Sequence, residues 1–224
     1  VKNDGMARLT RSESQARTRA ELLTTARDLF LTDGYALTSL EKVAETAGYS
    51  KGAVYSNFRG KKELCLEVLD LIHTTKFEEV AALVAADGEL DELLERIQEW
   101  AERTLGDVGW TMLEFEFIAA CRHDPDVQAA LASALGMAHG MVLALVNSLT
   151  AATGTALPLP PEEAARSILS LGVGLGIQRA IDPTISARIV TDNVRALLHR
   201  GSPLPDSGAS VGSRPSGSVS TGCR

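Results

Sequence analysis

The segment YSKGAVYSNF, residues 49–58, sets one lysine, two tyrosines, two serines and an asparagine around the apolar Val54 and Phe58. Phenol, hydroxyl, amide and ammonium groups offer hydrogen bonds and positive charge, but no nucleophile here has a base beside it. Their chemistry is recognition rather than catalysis. Ser50 suits the cap of a helix whose inward residues are Val54 and Phe58. Lys51 and Gly52 then stand at its exposed start, where glycine permits close approach and lysine supplies charge. Tyr55, Ser56 and Asn57 fall largely off the Val54/Phe58 face, so they are free to meet a groove or a phosphate.

Other groupings fail on spacing. Cys121, His123 and Asp124 lie two and three residues apart across a helix end and do not converge as metal ligands do, so no metal site is expected. Gly172, Gly174 and Gly176 lack the GxGxxG spacing and a preceding strand; they read as close helix packing. His73, His139 and His199 are isolated. Cys65, Cys121 and Cys223 contain no CxxC pair, so neither a zinc knuckle nor a disulfide framework is suggested. No cofactor is implied.

The elements that must position these groups are helical. Leu22, Leu23, Ala26, Leu29 and Phe30 make residues 12–33 an amphipathic helix stopped by Gly34. Thr38 and Glu41 read as a capping box for a short helix whose core face is Leu40, Val43, Ala44 and Ala47, and Gly48 ends it. Two short helices about a glycine turn make a helix-turn-helix. A long helix begins with Leu64, Val68, Leu71 and Ile72 and fades near Gly88. Leu93, Leu94, Ile97, Ala101 and Leu105 mark another, and Trp110 to Cys121 is expected to be buried on most sides. Asp124 and Pro125 open a helix that runs to about Thr153. After the loop GTALPLPP, Glu162 and Glu163 begin the next, which ends before Asp182. A last helix turns Ile185, Ile189, Val194 and Leu198 inward and stops at Gly201. Residues 202–224, rich in Ser, Gly and Pro, read as a disordered tail.

Aromatics at 4% and a scarcity of alternating strand patterns agree with an all-α chain of 224 residues. The net charge of −7 is unevenly spread: residues 1–64 carry +3 and residues 65–224 carry −10. A basic head on an acidic body suits a DNA reader with a separate second function, because phosphate attraction is local and screened beyond roughly 10 Å at 0.1 M salt. The start lacks the apolar run of a signal peptide and no long uninterrupted apolar stretch occurs, so a cytoplasmic protein with no membrane partner is expected.

Arg17 to Leu69 resembles the DNA-binding domain of the TetR family of bacterial transcriptional regulators. The match is an ordered set: a helix ending in LF, the turn DGY, then TSLEKVAETAG, YSKGAVYSNF and the KKEL that opens a fourth helix. The resemblance implies a recognition segment starting at Tyr49 and Ser50, phosphate contacts from Tyr55 and Lys61, and anchoring of the motif's first helix by Thr38 and Ser39. It makes Asn57 the better reader of a base edge, since asparagine can be bidentate to adenine.

The expected architecture is an N-terminal three-helix head over residues 1–64, with a flexible arm at 1–11, and a larger helical ligand-binding and dimerisation domain over 65–201. Trp100, Trp110, Met112, Phe115, Phe117, Met137 and Met141 are candidates to line an apolar pocket, with Glu114, His139, Asn147 and Gln178 as polar anchors. Ser167, Gly172, Gly174 and Gly176 leave room for a partner helix at a two-fold interface. The implied function is a homodimeric repressor on a pseudo-palindromic double-stranded DNA operator, released by a small-molecule effector. The alternatives are a regulator without an effector, or an all-helical enzyme or carrier for which no catalytic groups assemble.

Overall fold

The computed structural model describes residues 10–86, 88–154 and 156–199. Among them the chain is all-α, without a strand. Nine helices follow one another: α1 (Arg11–Leu37), α2 (Leu40–Thr46), α3 (Lys51–Asn57), α4 (Lys61–Ala85), α5 (Leu90–Thr104), α6 (Val108–Ala120), α7 (Pro125–Thr153), α8 (Pro161–Ile181) and α9 (Arg188–His199). The tail at 202–224, Gly201, Cys223 and residues 1–9 of the expected arm lie outside the described residues. Thr10 and Arg11 already belong to the start of α1, as its cap and first residue. The Thr10 hydroxyl accepts from the Glu13 amide at 3.2 Å, and the Glu13 carboxylate accepts from the Thr10 amide at 2.7 Å.

α2 and α3 are seven residues each, below the ~12–15 residues at which an isolated helix is even marginal in water. Packing holds them. Val43, Ala44, Val54 and Phe58 are buried with Leu22, Ala26 and Phe30 of α1 and Leu64 and Val68 of α4, and each large side chain so covered contributes ~1.5–3 kcal/mol. Gly48 turns the chain between them with φ of +74°, a backbone state that side chains with a Cβ resist.

The cap of α2 differs from expectation. Ser39, not Thr38, accepts from the Lys42 amide, at 3.1 Å. Thr38 is 1% exposed and donates its hydroxyl to the carbonyls of Gly34 (2.9 Å) and Leu29 (3.3 Å). It closes the end of α1 instead, so no capping box forms between Thr38 and Glu41.

Head and body share one core. Residue 64, the expected boundary, lies in the first turn of α4, and Leu64 is fully buried in a cluster that also takes in Leu113, Phe117, Cys121 and Val127 of the body. A second tie is polar. α1 breaks at Gly34 (φ 81°), and there the Glu116 carboxylate of α6 accepts from the amides of Tyr35 (2.8 Å) and Ala36 (3.3 Å). Glu116→Ala should therefore lower the unfolding free energy by about 1 kcal/mol, since water partly replaces the lost acceptor. A Tm about 2–4 °C lower in a thermal melt would register that loss; an unchanged Tm would mean that the tie adds nothing.

In the body α7 lies along α8 and reaches α4, α5 packs on α4 and α9, and α6 sits between α1 and α8. α6 is not buried all round. Thr111, Leu113 and Phe117 are buried, while Phe115 and Glu116 are exposed, because only one side of the helix is covered. In α9 the inward positions are Thr191, Leu198 and the half-buried Val194, whereas Ile189 is 42% exposed and Ile185 precedes the helix. By length and composition α7 could cross a membrane, and only 6% of its most apolar stretch is buried in the protomer. Where the α5–α6 turn meets α8, Gly106 has φ of +89° and an added Cβ would fall 2.3 Å from Cβ of Arg179; only glycine fits.

Candidate nucleic-acid interface

α3 is held by its buried side and open on the other. Ser50 Oγ accepts from the Ala53 amide at 3.2 Å, fixing the first turn. On the open side Lys51 and Gly52 are exposed, Tyr55 is 55% exposed, and Ser56 is exposed with its hydroxyl donating to the Ala53 carbonyl at 2.9 Å. Lys51 Nζ lies 3.6 Å from Glu41 of α2 across a solvated pair. Such pairs contribute little, so Lys51 can exchange this partner for a phosphate. The Glu41 carboxyl is held below its ordinary range first by its own backbone amide and then by Lys51.

Several of the expected contact residues are committed within the protein. The Tyr49 hydroxyl donates to the Glu21 carboxylate, which also pairs with Arg17 at 2.8 Å. Asn57 donates to the Ala53 carbonyl at 2.7 Å, and its Oδ1 is buried without a partner; to read a base its amide must leave its own helix. Lys61 Nζ donates to the Ala36 carbonyl at 3.2 Å and stands 4.3 Å from the centre of the Tyr35 ring. Burial pushes this ammonium below its ordinary range, against Cys65 and Glu116. Thr38 is enclosed, and Ser39 caps α2 as described above. The structure thus leaves Ser50, Lys51, Gly52, Tyr55 and Ser56 exposed and engages Lys61 and Tyr49 with α1.

Arg59, not among the expected contact residues, joins this surface. Its side chain is 95% exposed just past the end of α3, with Glu63 3.9 Å away. Its adjacency to the segment's last turn was the available signal.

Residues 22–68 match the model of bacterial regulatory proteins of the tetR family. Over 88 residues the chain is 38% identical to the HTH-type transcriptional regulator TtgR of Pseudomonas putida, covering 39% of this chain and 41% of that regulator. Over 66 residues it is 41% identical to the HTH-type transcriptional regulator AcrR of Shigella flexneri, covering 30% of each. Residues 22–68 form a head of the TetR-family type. The matched stretch spans about two-fifths or less of those regulators. The body is related in fold. Salmonella enterica GusR superimposes with a TM-score of 0.65 at 22% identity over 85% of this chain and 98% of that chain, and reduced Escherichia coli NemR with 0.63 at 19% over 81% and 98%.

The seven residues expected to line a pocket in the body are not gathered together. Phe117 is buried in the shared core, edge-on to Tyr35 with ring centres 5.1 Å apart. Phe115 and Met137 are 38% and 50% exposed, while Met112 and Met141 are half-buried. Trp100 donates its indole N–H to Glu79 at 2.8 Å. Of the seven, Trp110 alone borders the larger crevice, between α1, α4 and the α5–α6 turn. None of the four expected anchors lines it: Glu114 stands 3.5 Å from His73, His139 lies 3.1 Å from the Glu162 carbonyl, and Asn147 and Gln178 are exposed, on α7 and α8.

The expected interface residues divide. Ser167 is exposed, its hydroxyl donating to the Glu163 carbonyl at 2.8 Å. A Cβ added at Gly172 or Gly174 would meet nothing within 4 Å, and Val173 between them is 48% exposed. Gly176 is buried within the protomer, where an added Cβ would lie 3.9 Å from the Gly106 amide nitrogen. It serves the packing of α8 on the α5–α6 turn and faces no partner.

Proposed function

We propose that this chain is a TetR-family homodimeric repressor of the cytoplasm that holds a pseudo-palindromic operator and leaves it when a small molecule binds the body. The observation that carries the reading is the open face of α3, where Lys51, Gly52, Tyr55 and Ser56 stand clear on a short helix fixed from behind. That is the geometry with which a second helix of the motif enters a major groove. The similar regulators named above carry the same type of head. Dimerisation is supported by the uncovered apolar surface of α7 together with Leu135, Met137 and Val173, each close to half exposed. A two-fold pairing of α7 and α8 would cover it and set two recognition helices one DNA turn, ~34–36 Å, apart or a multiple of that.

Selection of bound sequences from a random DNA pool tests the first half, with an inverted repeat as the expected product. Gly172→Leu tests the second. Because a Cβ added at that position meets nothing within the protomer, a defect in a variant that keeps its helical signal reports the partner helix. Monomer by light scattering, a normal helical signal and at least tenfold weaker operator binding are expected. A fully dimeric, operator-binding variant would move the interface elsewhere.

A further inference from the structure

The crevice between α1, α4 and the α5–α6 turn encloses about 200 Å³. Leu31, Leu71, Ile72 and Trp110 form its apolar wall, and Arg27, Lys76 and Arg103 border the same space. On a chain of net charge −7, three cations around one small crevice mark it for an anion. Their existing partners leave capacity. Arg27 is paired with its neighbour Asp28 at 2.8 Å on the surface. Lys76 lies 3.3 Å from both oxygens of Glu79, a carboxylate that also accepts from Trp100. Arg103 forms no hydrogen bond or close ion pair among the described residues, and Glu79 acts on it only at longer range. The lining's one carboxylate, Asp107, is turned to the Trp110 backbone amide at 2.8 Å as the cap of α6.

From this we infer that the crevice is a binding site for a small organic acid, its carboxylate held by Arg103 with Arg27 and Lys76 alongside and its apolar body against Trp110, Leu31 and Ile72. The volume lies below the ~300–1,000 Å³ of sites for drug-sized ligands, which limits the occupant to roughly one ring or a short chain. Guanidinium groups suit it because their planar fork meets a carboxylate with two parallel hydrogen bonds. The inference rests on the reading of an effector-released repressor, and it places the effector where α1 of the head and α4–α6 of the body are touched at once.

Calorimetric titration of the full chain with benzoate, and with benzyl alcohol as the uncharged counterpart of the same carbon skeleton, tests it. Saturable benzoate binding, at least tenfold weaker binding of the alcohol, and a Kd raised at least tenfold by Arg103→Gln are expected. Arg27→Gln serves as a second variant should Arg103→Gln lose its helical signal. Equal binding of acid and alcohol, no benzoate binding up to about 10 mM, or an unchanged Kd in a folded variant would overturn the site. Operator binding is followed separately by gel shift. A variant that still holds the operator but has lost benzoate upholds the site. Failure to hold any DNA would defeat the repressor reading while the calorimetry still decides the crevice.

Discussion

Arg179→Ala is expected to lower the unfolding free energy by about 3–5 kcal/mol in urea denaturation, among the largest losses that any single truncation in this chain should produce. Arg179 is 8% exposed on α8, and its guanidinium spends its donors on three segments. Nε donates to the Leu105 carbonyl at 2.8 Å and Nη2 to the Glu102 carbonyl at 2.9 Å, while Nη1 reaches the Ile185 carbonyl. Nη1 also pairs with the Glu102 carboxylate at 2.8 Å. Glu102 in turn accepts from Ser186 Oγ (2.9 Å) and the Ala187 amide (2.8 Å). One side chain therefore joins the end of α5, the middle of the body and the approach to α9. Truncation leaves carbonyls and a carboxylate without their donor, and buried acceptors so stranded are costly. Arg179→Lys should recover little, because one ammonium cannot span the same three carbonyls. Burial opposes the charge on Glu102, but the bonds from Ser186, Ala187 and Arg179 outweigh it and hold its carboxyl below the ordinary range. Its contribution is accordingly present at neutral pH and is lost as pH falls through that lowered value. A loss below about 1 kcal/mol for Arg179→Ala would show the network to be peripheral.

The second large effect is on DNA. Lys51→Glu should weaken operator binding at least ~100-fold at 0.15 M salt, and flatten the dependence of log Kd on log salt by about one to two units. It removes a cation from the open face of α3 and sets a second carboxylate near Glu41, where the Lys51 ammonium now stands at 3.6 Å. The side chain is 69% exposed, so the fold and Tm should be untouched and the loss can be read as recognition alone. Lys51→Ala should lie between the two, with the slope reduced by about one. If Lys51→Glu bound the operator like the parent, α3 would not be presenting this end to the groove.

How far the sequence disclosed this arrangement depended on the range of the interaction involved. Ser50 as a cap, Gly48 as a left-handed turn and Val54 with Phe58 as the buried side of α3 all follow from interactions between near neighbours, and each is legible from local spacing. Thr38 and Ser39 are adjacent hydroxyls, either of which suits a cap. The decision came from the carbonyls of Leu29 and Gly34, which only the folded end of α1 places beside Thr38. Trp110 and Phe117 share an apolar helix, yet one borders a crevice and the other completes the head's core. Periodicity shows that a face is apolar without showing what covers it. Gly176 looked like Gly172 and Gly174 in the sequence, but it faces Gly106, which belongs to a distant turn of the chain. Arg103 carried no local signal at all; its interest lies in the cations that α1 and α4 bring next to it.

The shared core has a consequence for exchanging parts between regulators of this kind. Leu113, Phe117, Cys121 and Val127 belong by position to the body, yet they finish the apolar interior on which α2 and α3 depend, and Glu116 fastens the backbone at the end of α1. A graft cut at the end of the matched head, near residue 68, would leave behind the side chains that close its floor. Transplanting this DNA specificity onto a foreign sensor therefore requires carrying the inner side of α6 and the first turn of α7 along with it.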